Sequence, residues 1–324
     1  MSPVPTPPLR RPFTVVSLFD GISCGREALR QCGLQASNVR YYASEIDKAA
    51  IRVANDRFPH TVQLGDVRNV QYRDNTLCVS SQSATSETQT VATGPVDLLL
   101  AGSPCQGFSS NGDKMLFDDP RSALYFEFER LLQEIRPTHF LLENVVMPKD
   151  AEEMISKRLK PFGGQLYKLN SRDWSAQNRP RLYWTNIPHQ SQSGGQRSTR
   201  THRRTDAMVR QHRTKHRFPR TLKAVVGKGY GGVHHRPHGF YTGGFKPLQE
   251  KGACITRSGW LCSFFVHQHG KKRKFTAEEC ELLQTLPKGY TRAAGSDNAR
   301  VALIGNAWTV AVIADLLRPA LAGN

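Results

Sequence analysis

Cys105 stands in GSPCQGFS (102–109), in a turn built from Gly102, Pro104 and Gly107 that follows the apolar run VDLLLAG. A free cysteine is more often a small buried hydrophobe than a nucleophile. Set in a polar turn, however, it can expose a thiolate, the attacking species of covalent catalysis. Glu143 and Asn144 close LLENV (141–145), whose other residues are apolar. A carboxylate at a strand end beside a buried pocket can hold a proton for transfer. Arg179 and Arg181 stand two apart in QNRPRLYW (177–184). On an extended segment they point to one side, where they can hold an anion or stabilise developing charge.

A second group of residues suits a nucleotide. FDGISCG (19–25) joins an apolar run, FTVVSLF, to the helical pattern REALRQCG. A glycine-bearing turn between strand and helix lets backbone approach a ligand closely, although the spacing is not the dinucleotide GxGxxG. Glu45 ends the next run, VRYYASEID, and is placed to accept hydrogen bonds from a ribose; Asp66 ends TVQLGDV and can meet an adenine amine. GNAWTV (305–310) supplies a further Gly/Asn turn before a helix.

These residues need a sheet to hold them. Strand-like and helix-like segments alternate through DKAAIRVANDRF, TVQLGDV, VDLLLAG, LYFEFERLLQEIR, THFLLENV and RLYWTNI, which predicts a parallel α/β sheet. In LYFEFERLLQEIR, Leu124, Phe128, Leu131, Leu132 and Ile135 share one face and Pro137 stops the helix. Residues 74–95, rich in Ser, Thr and Gln, are expected to be a flexible surface loop, as is the Pro-rich stretch 1–12. FTAEECELLQTLP reads as an amphipathic helix, and VALIGNAWTVAVIADLL as a turn followed by a long apolar helix.

The chain has 324 residues, enough for one large domain or two smaller ones at roughly 100–200 residues each. It carries 45 Lys and Arg against 27 Asp and Glu, a net charge of +18, so a polyanionic partner is expected, nucleic acid first. Much of the excess lies in 189–220, where nine Lys or Arg residues, from Arg197 to Arg220, face one acid, Asp206. No uncharged apolar run reaches the ~18 residues of a membrane span, and MSPVPTPPLRRP lacks the apolar segment of a secretory signal. Seven irregularly spaced cysteines then suggest a reducing, intracellular setting. Cys254, Cys262, His267, His269 and Cys280 lack paired CxxC spacing, and no metal is expected.

The ordered set FDGISCG, ASEID, GDV, PCQG, ENV, QNRPR, KFTAEECELLQTLP and GNAWTV resembles the DNA cytosine-5 methyltransferases. The wording is most like solitary phage and bacterial enzymes and more distantly like the animal de novo enzymes. The resemblance spans most of 13–320, leaving out 74–95 and 189–250. It implies a Rossmann-like, S-adenosylmethionine-dependent sheet over 13–188 and 273–320, with the C-terminal helix returning to it. A smaller, basic target-recognition domain would occupy 189–272. It implies transfer of a methyl group to carbon 5 of a cytosine flipped out of duplex DNA. Cys105 is then the nucleophile on carbon 6, Glu143 serves the ring nitrogen N3, Arg181 contacts the base carbonyl and orients Glu143, Arg179 is its neighbour, and Asn144 shapes the pocket. The cofactor would be held by Phe19, Asp20, Gly21, Gly25, Glu45, Ile46, Asp66, Val67, Asn306, Ala307 and Trp308, with Trp308 standing where the family often has a smaller residue. Pro104, Gln106, Ser109 and Arg257 would touch the DNA. A cognate restriction enzyme is an open partner. A tRNA substrate, or DNA binding without catalysis, are the competing readings.

Overall fold

A computed structural model describes residues 11–80, 89–103, 123–189, 218–235, 244–256 and 264–322. Cys105, Pro104, Gln106, Ser109 and Arg257 lie outside the described residues, as do 1–10, 81–88 and most of the basic run.

Seven strands form the main sheet: β1 (Phe13–Leu18), β2 (Val39–Ser44), β3 (Val62–Gln63), β7 (Leu98–Gly102), β8 (His139–Val145), β9 (Gln165–Asn170) and β10 (Pro180–Thr185). Their order is β3-β2-β1-β7-β8-β10-β9. The first five are parallel, whereas β10 runs antiparallel to both β8 and β9. Central strands of a covered parallel sheet are buried on both faces and read as continuous apolar runs; FTVVSL and LLLA are buried throughout. The strand order reverses direction between β1 and β7, and ligands of open α/β sheets bind beyond the carboxyl ends of the strands at such a point.

Helices cover both faces. On one, α1 (Cys24–Gln31) packs against the C-terminal helix α8 (Val310–Leu321) through Ala28, Leu29, Val312, Ile313 and Leu317. On the other, α3 (Ala123–Ile135) and α4 (Lys149–Leu159) bury Phe128, Leu131, Leu132, Ile155 and Leu159. The α3 stripe is the one read from its sequence. α2 (Lys48–Arg57) starts on a carboxylate cap, Asp47 accepting from the Ala49 N–H at 2.8 Å.

Segment 74–95 is not loop throughout. β4 (Val70–Arg73), β5 (Thr76–Val79) and β6 (Gln89–Ala92) form an antiparallel three-stranded sheet. Its polar composition hid an alternation that sends Leu77 fully into the core with Val79 and Val91 beside it. The C-terminal region also differs from the reading. VALIG belongs to a helix, α7 (Asp297–Asn306), and the turn is the short break before α8.

A four-stranded antiparallel sheet joins β11 (Tyr230–His235), β12 (Gly244–Pro247), β13 (Phe264–Gln268) and β14 (Lys271–Arg273). The short helix α5 (Leu222–Val226) and helix α6 (Ala277–Leu283) pack with it, and Val233, Val266, Phe275, Cys280 and Ile304 share one core. The boundary expected at 272 therefore cuts through β14, and the smaller sheet is seated on α6 and α7. Thr276 and Glu279 close a capping box at the start of α6. Among the described residues, no single helix is long and apolar enough to cross a membrane.

Candidate active site

A cleft of about 960 Å³ opens at the carboxyl ends of β1, β2, β3, β7 and β8, bounded on its far side by the α7–α8 break. The cofactor residues proposed from the sequence border it, save Gly25, which lies buried behind Trp308.

The turn after β1 is built around Asp20. Its carboxylate is buried and accepts hydrogen bonds from Ser17 Oγ at 2.6 Å, Tyr41 OH at 2.7 Å and the Ser23 hydroxyl. Burial pushes this carboxyl up to about 6, the three hydroxyls partly opposing and the charge of Glu45 adding to it. Asp20 thus shapes the turn from inside, and the ligand-facing surface comes from its neighbours. Phe19 and Gly21 take left-handed backbone, φ 56° and 59°, and Gly21 suits that conformation without strain. The Gly21 N–H donates to Glu45 Oε2 at 2.8 Å, while Glu45 Oε1 accepts from the N–H groups of Ile46 and Asp47 at 2.7 and 2.8 Å. Glu45 is therefore held by three backbone donors on two loops. Asp66 is met by the Arg68 side chain at 3.0 Å, and that guanidinium holds its carboxyl below the usual range.

A half-buried aromatic face (Phe19), an apolar floor (Val67) and two carboxylates at adjacent strand ends suit an adenosine group. The left-handed Gly21, above which a methyl group would meet nothing within 4 Å, leaves room for the rest of the ligand. These residues fit S-adenosylmethionine.

The other end of the cleft carries the acid and the arginines. β8 brings Glu143 opposite Tyr183 of β10 in antiparallel register. Glu143 Oε1 lies 3.1 Å from Arg181 Nε, and Trp308 Nε1 donates to Glu143 Oε2 at 3.1 Å. Asn144 is buried and donates to Ser103 Oγ at 3.0 Å, tying β8 to the root of the segment that holds Cys105. Arg179 is turned inward: it donates to the carbonyls of Ile255 at 2.8 Å, Gly305 at 3.1 Å and Ala307 at 2.9 Å. Asn306 is exposed at the cleft edge.

Two residues with site contacts were not assigned to the site from sequence, where Cys254 is weighed only as a metal ligand. Cys254 Sγ lies 3.2 Å from Arg179 Nη1 and 3.8 Å from Arg181 Nη2. Burial pushes its thiol up, and the two guanidiniums more than offset that, leaving it below the ordinary thiol range. Gln284 donates to the carbonyls of Ile304 and Ala307 and so fixes the α7–α8 break. Gln284 sits within KFTAEECELLQTLP, a segment read only as an amphipathic helix. Gln177, quoted in QNRPR, accepts from the Ile255 N–H at 2.8 Å and thereby pins the strip on which Cys254 rides. Among the described residues, no group of His, Cys, Asp and Glu gathers as a metal cluster.

The family model for C-5 cytosine-specific DNA methylases matches residues 13–320. The Type II methyltransferase M1.ScrFI of Lactococcus lactis subsp. cremoris is 27% identical over 308 residues, 86% of this chain and 70% of that protein. The orphan methyltransferase M.SPRI of Bacillus phage SPR is 31% identical over 179 residues, 52% of this chain and 36% of the phage enzyme. The chain likewise spans 40% of the Neisseria lactamica Type II methyltransferase M.NlaIV. Among solved structures, S. pombe Dnmt2 methyltransferase superposes with a TM-score of 0.61 at 17% identity, covering 97% of this chain and 99% of its own. The Entamoeba histolytica methyltransferase EhMeth gives 0.62 at 15%, with the same coverage. At these identities the superpositions establish the methyltransferase fold. With the family match over nearly the whole chain, the conclusion is that this protein belongs to the C-5 cytosine-specific DNA methylases, S-adenosylmethionine-dependent enzymes that act on DNA.

Proposed function

We propose that this chain methylates carbon 5 of a cytosine flipped from a short duplex sequence, through a covalent adduct with Cys105. The observation that carries the reading is the buried Glu143 carboxylate, held in the lining of the nucleotide-shaped cleft by Arg181 on one oxygen and Trp308 on the other. Carbon 5 of cytosine is a poor nucleophile. Addition of the Cys105 thiolate to carbon 6 makes it enamine-like, as Glu143 bonds to ring nitrogen N3 while charge builds there. When bound, S-adenosylmethionine would supply the electrophilic methyl group that carbon 5 takes, its sulfur–methyl bond breaking to leave S-adenosylhomocysteine. A base then removes the carbon-5 proton, the sulfur–carbon bond breaks, and the 5,6 double bond returns with release of the thiolate.

The roles of the remaining residues follow from their positions. Glu45 and Asp66 would meet ribose and adenine, with Phe19, Ile46 and Val67 around them, and Gly21, Asn306 and Ala307 would bound the rest of the cofactor. Asn144 would set the height of the Cys105 segment through Ser103. Base readout would come from about 221–272, with Arg257, Pro104, Gln106 and Ser109 at the DNA, and the basic run would contact phosphates. A cognate restriction enzyme, and residence with DNA inside a cell, complete the proposal.

Methylation sequencing of plasmid from cells expressing the chain, beside a Cys105→Ala control, tests it. Cytosine methylation in one short motif, absent in the control, is the expected result. Methyl transfer to tRNA but to no DNA in a parallel assay would overturn the DNA reading, and DNA binding without any transfer would overturn the enzymatic one.

A further inference from the structure

The indole of Trp308 occupies the junction of three parts of the site. Its Nε1–H donates to Glu143 Oε2 at 3.1 Å. It lies against the end of β7: a methyl group built on Gly102 would stand 2.6 Å from Nε1 and 3.0 Å from two ring carbons. It also reaches the cofactor turn, since a methyl group on Gly25 would stand 3.5 Å from Cζ3. The ring is buried, 8% exposed. Gly102 therefore makes room for this large side chain, Gly25 lies in ordinary contact with it, and the side chain ends on the Glu143 carboxylate.

The terminal torsion of a glutamate is broad and roughly two-fold, so packing alone does not fix the plane of its carboxylate. One donor on one oxygen still leaves that plane to swing. Arg181 Nε holds Oε1 and Trp308 Nε1 holds Oε2, so the two together fix it. We propose that Trp308 is a positioning residue, which fixes the Glu143 carboxylate plane for its work on the base while walling the inner end of the cofactor cleft. This rests on the methyltransferase reading and assigns Trp308 a role beyond cofactor contact.

The test compares wild type, Trp308→Phe and a protein carrying benzothienyl-alanine at position 308. The analogue keeps the bicyclic shape and replaces N–H by sulfur, so it preserves the packing when Phe does not. The readouts are single-turnover methyl-transfer rate, KM and calorimetric Kd for S-adenosylmethionine, and the pH profile of kcat. Loss of the N–H is expected to lower kcat by about tenfold and displace the pH profile, with cofactor Kd changed less than about twofold, because transition-state positioning appears in kcat rather than in ground-state binding. In a Glu143→Gln background the same change is expected to cost nothing further, as a side chain that acts through Glu143 requires. An unchanged kcat in the analogue protein, or an equal loss in the Glu143→Gln background, overturns the positioning role. Weaker cofactor binding with kcat unchanged does the same and returns Trp308 to simple cofactor contact. Wild-type protein that transfers no methyl group to any nucleic acid would instead fail the underlying reading.

Discussion

Arg179 and Arg181 both reach one sulfur, Cys254 Sγ, at 3.2 and 3.8 Å, and yet serve different ends. Arg179 is 3% exposed and spends its guanidinium on the carbonyls of Ile255, Gly305 and Ala307, joining the 252–256 strip to the α7–α8 break. Arg181, next along the same face, turns to Glu143. The contacts of the first arginine hold the fold together, and under the proposed function the second serves the chemistry through Glu143. Arg179→Ala should therefore cost about 3 kcal/mol of stability, the scale of charge-assisted hydrogen bonds lost from buried carbonyls. Arg181→Ala, which leaves the Glu143 carboxylate with the Trp308 donor, should cost less stability than Arg179→Ala and lower kcat/KM about 100-fold, within the range of acid–base contributions. Urea unfolding and methyl-transfer kinetics on both variants check the split; equal stability losses would refute it.

Asp20 makes stability depend on pH. Its native carboxyl holds a proton up to about 6, above its ordinary 3.8. The native state thus binds more protons than the unfolded chain between those values, and its contribution to stability is fully present below the lower one and falls as pH rises through the upper. The linkage amounts to about 3 kcal/mol. Asp20→Asn should flatten this component. Urea unfolding of both proteins at about pH 4 and about pH 7 is the measurement, and a wild-type decline no steeper than the variant's would contradict it.

Asp66, proposed to read the adenine amine, is already engaged by the exposed Arg68 side chain. Exposed ion pairs are weak, so a ligand can displace this one, at some cost in affinity. Arg68→Ala should tighten S-adenosylmethionine binding a few-fold by calorimetry. Weaker binding would mean that Arg68 itself holds the ligand.

The basic run predicts a salt signature. Eight Lys or Arg residues lie within 190–217, and each phosphate contact contributes about 0.9 to the slope of log K against log salt on duplex DNA. Deleting 190–217 should flatten that slope in fluorescence anisotropy titrations without altering which sequence is methylated. An unchanged slope would take the run off the DNA.

Much of the sheet and its helices could be read from sequence because buried parallel strands announce themselves as unbroken apolar runs: FTVVSL, LLLA and HFLLENV all did. The β5–β6 hairpin did not, since Ser, Thr and Gln mask strands that bury one residue in two, as Leu77 shows. The acids and arginines of the site were visible because they end strands or sit two apart within one. The contacts of Trp308 with Glu143 and of Cys254 with the arginines join residues far apart in the chain. No local spacing encodes such contacts; they exist only once the α7–α8 break is laid against the sheet.

That break sets an order of events during synthesis. The cleft begins at Phe19, yet its far wall is made of residues near 305–308, with Arg179 and Gln284 holding the Ala307 carbonyl. A nascent chain that has completed the strands of the main sheet still lacks the wall, the Trp308 donor and the acceptors of Arg179. Ribosome-tethered intermediates stopped before this point should fold the parallel strands while holding no cofactor, so the cofactor cleft is complete only once the residues around 305–308 have left the tunnel.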